Sequence, residues 1–156
     1  MKRRDFFKAS AIGLAAHKSI LKASQTNIST NRPVILSTWN FGLKANADAE
    51  EALKNGGSAM DAAEKGAMNA EADIENNSVG IGGSPDEKGR VTLDACVMDS
   101  SGNAGSVAFL QNIKHPVSVA RKVMEDTKHV MLVGEGARQF AVSNGFKEIN
   151  ILTRKQ

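Results

Sequence analysis

Residues 77–99 combine four glycines, three hydroxyl side chains and three aspartates at close spacing. Ser78 lies near the start of this segment, and three glycines follow it. Gly80, Gly82 and Gly83 permit backbone conformations that other residues avoid, so the chain can bend sharply and approach a ligand or another strand closely. An apolar strand pattern that carries two of the aspartates comes next. We therefore expect a functional site at this segment.

The residue types exclude several kinds of site. The segment Gly80–Ser84 lacks the lysine and the Ser/Thr of a phosphate-binding P-loop. His17, His115 and His129 have no metal-ligand spacing, and we expect neither a metal nor a cofactor. No Gly-x-Ser-x-Gly nucleophile elbow occurs in the sequence, although a Ser-His-Asp triad assembled from distant residues stays open.

The two aspartates of the strand pattern are not expected to act together. Asp94 and Asp99 lie an odd number of positions apart on a strand pattern, so their side chains face opposite sides of the strand. Carboxylates beside turns commonly accept hydrogen bonds from backbone amides. We predict that role for both, rather than a catalytic pair.

Two aromatic residues, Trp39 and Phe41, directly follow a predicted strand. A lone tryptophan at a strand end is most often a core anchor. A Trp and a Phe beside Gly42 at the end of a buried strand also fit the wall of a small-molecule pocket. Both interpretations stay open at this point.

The basic charge of the chain is concentrated at its start. The 156 residues suffice for one domain, and their formal net charge is +3. Residues 1–24 contain six basic residues and one acidic residue, so the remainder is slightly acidic. The sequence therefore predicts no nucleic-acid partner. The single cysteine, Cys96, excludes an internal disulfide.

Residues 1–24 have the features of an export signal. The run Lys2–Lys8 is similar to a twin-arginine motif, and a small-residue apolar run, residues 9–16, follows it. That run is shorter than the roughly 20 apolar residues that span a bilayer. We expect a periplasmic or secreted protein with no membrane segment in its mature form; an ordinary basic amphipathic tail is the alternative.

Hydrophobic periodicity predicts a layered α/β domain over residues 33–156, after a disordered junction at residues 25–32. Helices are expected to pack on a sheet that contains an antiparallel hairpin. The predicted strands are residues 33–38, 91–98, 104–110 and 130–133, with the first and last buried, and the predicted helices are residues 45–55, 58–72, 116–124 and 134–144.

Several blocks of the sequence resemble the bacterial glycosylasparaginases. The blocks are Ser37–Gly42, Asp61–Gly66, Ser78–Met98, His115–Arg121 and His129–Gly134. They have the order and spacing of that family, and the resemblance extends over nearly the whole chain from Pro33 to Thr153. The resemblance implies an αββα N-terminal-nucleophile hydrolase sandwich, of which this chain would be the α-chain half. It also implies hydrolysis of the amide that joins N-acetylglucosamine to asparagine.

The resemblance assigns roles to a few residues. Members of the family cut themselves before a threonine that heads a β chain and acts as nucleophile, with its own α-amine as base. No residue of the present chain corresponds to that threonine, so the resemblance implies no catalytic residue here. It gives Ser78 a supporting role, near the nucleophile and tied to autoproteolysis. Trp39 and Phe41 would line the substrate pocket. The implied partner is a β chain, in a heterotetramer of two α and two β chains.

Two alternatives accompany the resemblance. Plant-type asparaginases and isoaspartyl peptidases share the region around Leu93–Ala95, but they usually carry His-Gly-Gly-Ala-Gly where this chain has Ser37–Phe41. A truncated, inactive fragment or pseudoenzyme is the second alternative. In either case a chain without the nucleophile is expected to have no amidase activity alone, and its sheet should be exposed where β-chain strands would pair.

Overall fold

A helical pair, a β-hairpin and a parallel crossover follow one another along the chain. The computed structural model describes residues 32–152, of which residues 35–152 belong to one compact unit. The predictions for residues 1–24 and 25–31 lie outside the described residues. The elements are α1 (Gly42–Lys54), α2 (Ala59–Ala72), a 3₁₀ turn (Gly80–Gly82), β1 (Leu93–Met98), β2 (Ala104–Leu110), α3 (Pro116–Asp126), β3 (Met131–Val133) and α4 (Gly134–Ser143). Within residues 32–152 no helix combines the length and apolar character needed to cross a membrane.

The sheet has the strand order β1-β2-β3 and combines both kinds of pairing. Strands β1 and β2 form the predicted antiparallel hairpin, whereas β3 pairs with β2 in parallel after the α3 crossover. At the hairpin turn the Asp99 carboxylate accepts hydrogen bonds from the backbone N–H groups of Ser101 (2.8 Å) and Asn103 (2.9 Å). Together with the Asn103 side-chain amide, which has the largest effect, these bonds lower the pKa of Asp99.

Helix α2 begins with the N-cap that its sequence predicts. The Ser58 hydroxyl accepts a hydrogen bond from the Asp61 N–H (3.1 Å), and the Asp61 carboxylate accepts one from the Ser58 N–H (2.7 Å). Arg121 of α3 donates to both Asp61 and Glu64, at 2.7 Å each. The Ser58 hydroxyl and then the Arg121 guanidinium hold the pKa of the Asp61 carboxyl well below its usual range. The same arginine thus ties α2 to α3.

Helix α3 lies very close to the inner face of the sheet. A Cβ at Gly105 of β2 would lie 2.2 Å from the backbone oxygen of Ala120, so only glycine permits this approach. Burial of the surrounding apolar side chains is the main force that holds the layers together. The largest fully buried side chains are Leu110, Ile113, Val107, Val119, Val123 and Pro116.

The outer face of the sheet is open, and this corrects one prediction. Cys96 of β1 pairs with Ser106 of β2, which pairs with Met131 of β3, so the three residues share one face. Met131 is 54% exposed and Val133 55% exposed. The prediction of a strand near residues 130–133 is confirmed, but its predicted burial is wrong, because β3 lies at the edge of the sheet and only Ser106, on the central strand, is buried in this row.

The strand predicted at residues 33–38 is also wrong. Residues 33–37 have no regular secondary structure, and Leu36 is 88% exposed. A strand is stabilised by the ladder of hydrogen bonds to a neighbour, and within the part of the chain that the structure describes no strand pairs with this segment. The β-branched residues there favour an extended chain without supplying the partner.

Two glycine-to-alanine substitutions separate the effect of this close packing from the effect of helix propensity. Gly105→Ala should lower the free energy of unfolding by about 3 kcal/mol, because the new methyl group overlaps the backbone of α3. Gly136→Ala, in the exposed part of α4 where a Cβ meets nothing within 4 Å, should raise it by up to about 1 kcal/mol. Urea titration followed by circular dichroism measures both changes. Equal stability of the two variants would contradict the packing described here.

Candidate functional site

A cavity of about 670 Å³ lies where the segments singled out by the sequence meet. Its walls come from the irregular segment 35–39, from the facing sides of α1 and α2, and from Ser78–Gly80. Residues 92–96, which include part of β1, and the first turn of α3 complete it. Strand β1 lies at one end of the strand order, so one of its edges is unpaired among the described residues. The cavity therefore borders both an unpaired strand edge and a segment without regular secondary structure.

Trp39 and Phe41 line this cavity, and they differ in exposure. Trp39 is 70% exposed, so the alternative of a core anchor is wrong. Phe41 is half-buried at the start of α1, where its N–H donates to the Asn40 side chain (2.9 Å). Ser37 donates to the Asn46 side chain of α1 at 2.5 Å, which fixes the segment that carries Trp39. Contact of either aromatic residue with a substrate stays a prediction.

Gly80 allows the glycine-dense turn to lie directly on the end of α2. A Cβ at Gly80 would lie 1.9 Å from the backbone oxygen of Glu71, and its φ of +66° is in the left-handed region. Any other residue would both clash and be strained there. The glycine does permit a close backbone approach, but to the end of a helix rather than to a ligand or another strand. Since Ser78 lies two residues earlier, its position depends on this contact.

The Glu71 side chain crosses the cavity floor to α3. It is 6% exposed, and its carboxylate accepts a hydrogen bond from the Val117 N–H (2.9 Å) and contacts His115 Nδ1 (3.1 Å). His115, the N-cap residue of α3, forms no side-chain cap of its own. Glu71 therefore caps α3 from another helix. Burial raises the pKa of Glu71 above its ordinary value, while the His115 and Val117 contacts oppose that shift.

Ser78 lies in a tight turn that Asn76 closes. Both the backbone N–H and the hydroxyl of Ser78 donate to Asn76 Oδ1, at 3.1 and 2.7 Å. This arrangement is an Asx turn, in which the asparagine side chain mimics a backbone turn. Ser78 is therefore a hydrogen-bond donor within a turn, and its supporting role near a nucleophile stays a prediction.

Asp94 and Asp99 do not come together, as predicted. Asp94 accepts a hydrogen bond from the Phe109 N–H (2.7 Å) at the point where the β1–β2 register shifts. Phe109 has φ +52°, a conformation that costs a bulky residue about 1–2 kcal/mol, and the Asp94 bond helps to hold it. Asp99 binds turn amides as predicted, whereas Asp94 binds a backbone amide of the neighbouring strand instead.

The histidines have structural contacts or lie outside the described residues. His115 contacts Glu71, the His129 N–H donates to the Thr127 hydroxyl (3.0 Å), and His17 is not described. Within residues 32–152, no three His, Cys, Asp or Glu side chains cluster as metal ligands would.

Sequence reasoning missed Glu71 and Asn76. Glu71 was detectable only as an acid beside the apolar stripe of α2, and Asn76 only as an asparagine two residues before Ser78.

Comparison with known protein families gives this geometry a context. The sequence profile described as "Asparaginase" matches residues 20–156. The chain belongs to the asparaginase family. The match includes every residue that lines the cavity, so the site described above lies within the part of the chain that the family shares.

Curated relatives of this asparaginase-family chain carry a narrower name. An N(4)-(beta-N-acetylglucosaminyl)-L-asparaginase of Elizabethkingia miricola is 54% identical over 158 residues, covering 97% of this chain and 46% of that protein. The protein of that name from Rattus norvegicus is 46% identical, covering 78% and 35%. A putative one from Drosophila persimilis is 40% identical, covering 91% and 38%. The chain thus spans less than half the length of these relatives.

The raised pKa of Glu71 makes a prediction about pH. A folded-state pKa above the ordinary value of 4.5 contributes stability that is fully present below that value and is lost as the pH rises through the folded pKa. Glu71→Gln keeps an acceptor for the Val117 N–H but carries no charge. The melting temperature of the variant minus that of the parent should therefore increase from about pH 4 to about pH 7.

The matched control is Glu87→Gln, which changes an exposed glutamate in the same way. The difference in melting temperature between this variant and the parent should stay nearly constant over the same pH range. Thermal unfolding monitored by circular dichroism gives both differences. A Glu71→Gln difference that falls with pH would show that the ionised carboxylate is stabilised rather than penalised by its surroundings.

Proposed function

We propose that this chain is the α-chain half of a glycosylasparaginase, which hydrolyses the amide bond between N-acetylglucosamine and asparagine. One observation carries the proposal. The fold brings Trp39 and Ser78, from two separate sequence blocks, into the wall of one cavity. The names of the similar proteins from Elizabethkingia miricola and Rattus norvegicus support the same substrate.

The unpaired backbone at the cavity supports completion of the site by further strands. The free edge of β1 and the irregular segment 35–38 both border the cavity, and unpaired strand edges readily accept an added strand. The exposed face that includes Cys96 and Met131 is suited to packing against a second sheet. The complete protein would then be the four-layer αββα sandwich, with this chain supplying one sheet and its helices.

The reaction follows from placing a nucleophile in that cavity. A threonine at the head of the added segment, freed by autoproteolysis, attacks the side-chain carbonyl of the glycosylated asparagine through its hydroxyl oxygen. Its own α-amine takes the hydroxyl proton and returns it to the departing glycosylamine. Water then releases aspartate from the acyl-threonine. Trp39 and Phe41 form the pocket wall, and Ser78 supports the nucleophile.

Assembly and location belong to the same proposal. Two α and two β chains would form the heterotetramer. The basic, twin-arginine-like residues 1–24 would direct export to the periplasm or beyond, and their removal would leave the domain described above. Expression with residues 1–24 deleted should then abolish export while leaving the fold unchanged.

A complemented protein tests the proposed activity. It joins this chain to the C-terminal part of the Elizabethkingia miricola relative that follows the matched residues. It should release aspartate from glycosylasparagine, whereas the present chain alone should not. Trp39→Ala in the complemented protein should lower kcat/KM about tenfold or more, because an aromatic pocket wall is lost.

The matched control is Leu43→Ala, which truncates a side chain that is 79% exposed, four residues after Trp39. It should leave kcat/KM within about twofold of the parent, as expected for an exposed position. Cleavage of asparagine but not of glycosylasparagine would favour a plant-type asparaginase instead. Release of aspartate by the chain alone would contradict the proposed division of the site.

A further inference from the structure

We propose that Asn76 is a positioning residue that fixes the Ser78 hydroxyl as a hydrogen-bond acceptor toward the cavity. The proposal rests on the proposed function, because it assigns Ser78 a partner that the present chain does not contain. Two observations support it: the hydrogen-bond geometry of Asn76 and Ser78, and the burial of Asn76.

The hydrogen-bond roles of this pair follow from the backbone. The Ser78 N–H can only donate, so the Asn76 atom that it meets at 3.1 Å must be the amide oxygen and not the amide nitrogen. The Ser78 hydroxyl lies 2.7 Å from that same oxygen. An amide oxygen can only accept, and therefore the hydroxyl donates its single proton to Asn76.

Asn76 is held firmly enough to impose this arrangement. The residue is 9% exposed, and its N–H donates to the Asp73 backbone oxygen (3.1 Å). Its own backbone oxygen lies against Gly82, where a Cβ would approach to 2.5 Å. A side chain with so little room for rotation keeps its oxygen directed at Ser78.

The second polar atom of the Asn76 side chain is unpaired among the described residues. The amide nitrogen Nδ2 is buried and has no hydrogen-bond partner among the described residues. A buried donor without a partner costs about 1–3 kcal/mol. Among the described residues, the Asn76 side chain therefore binds only Ser78.

The fixed proton determines which group Ser78 can bind. With its hydrogen committed to Asn76, the hydroxyl oxygen offers only lone pairs to the cavity. A group that docks against Ser78 must therefore donate, as an amine or a hydroxyl does, whereas a carbonyl or carboxylate oxygen is disfavoured. Asn76 would thus set the chemical class of the group that Ser78 accepts.

A double-mutant cycle in the complemented protein tests this assignment. Asn76→Ala should lower kcat about tenfold with little change in KM, the equivalent of one lost hydrogen bond. In a Ser78→Ala background the same substitution should change kcat less than about twofold, because the hydroxyl that it orients is gone. Asn76→Asp, which keeps the accepting oxygen, should restore most of the rate.

The matched control is Asn77→Ala. Asn77 is exposed, and it is its backbone oxygen that accepts the Ser84 bonds, so the substitution should leave kcat nearly unchanged. A tenfold loss in both backgrounds would overturn the proposal and return Asn76 to a purely structural role.

A second measurement does not depend on activity. Hydrogen exchange of the Ser78 amide, followed by NMR in the same proteins, should accelerate in Asn76→Ala and stay slow in Asn76→Asp. Unchanged exchange in Asn76→Ala would overturn the orienting role. An inactive parent would overturn the proposed function instead, and the exchange data would then decide the role of Asn76 alone.

Discussion

The position of Glu71 is the constraint on which the rest of the site depends. Its backbone oxygen occupies the space where any side chain at Gly80 would lie. Its buried carboxylate caps helix α3 through the Val117 N–H. One residue therefore fixes the end of α2, the turn that follows Ser78 and the start of α3. Because burial penalises the ionised carboxylate, this junction is held at an energetic cost that the two hydrogen bonds only partly offset.

Among the described residues, one face of the sheet is packed against α3 and the other face is exposed. On the inner face α3 approaches β2 closely and the apolar side chains are fully buried, as in any well-packed α/β layer. On the outer face Met98, Met131 and Val133 are more than half exposed. Exposed apolar strands and a free strand edge are sites where another polypeptide pairs or where chains aggregate. The cavity borders the free edge of β1, so a strand that pairs with this edge would also close the cavity.

Local signals predicted the parts of the fold that local interactions determine. Ser58 and Asp61 mark the start of α2, Pro116 marks the start of α3, and the residues from Asp99 to Asn103 mark the hairpin turn. The strand at residues 33–38 was predicted wrongly because extended preference does not supply a pairing partner. The contact between Glu71 and His115 joins residues far apart in sequence, and no periodicity signals it. The aromatic pair and the glycine-dense turn were found, whereas Asn76 was missed because its importance lies in the burial of its side chain.

In the complete protein, we propose, a second sheet covers the outer face and further strands complete the cavity. Cys96, the single cysteine of the chain, lies exposed on that face and reports on its accessibility. Its alkylation rate, measured by mass spectrometry of the peptide that contains it, can be compared between this chain and the complemented protein. We expect rapid labelling of Cys96 in the chain alone. In the complemented protein labelling should be at least about a hundredfold slower, because a covered thiol reacts only after local unfolding exposes it. Equal rates in the two proteins would contradict this proposal.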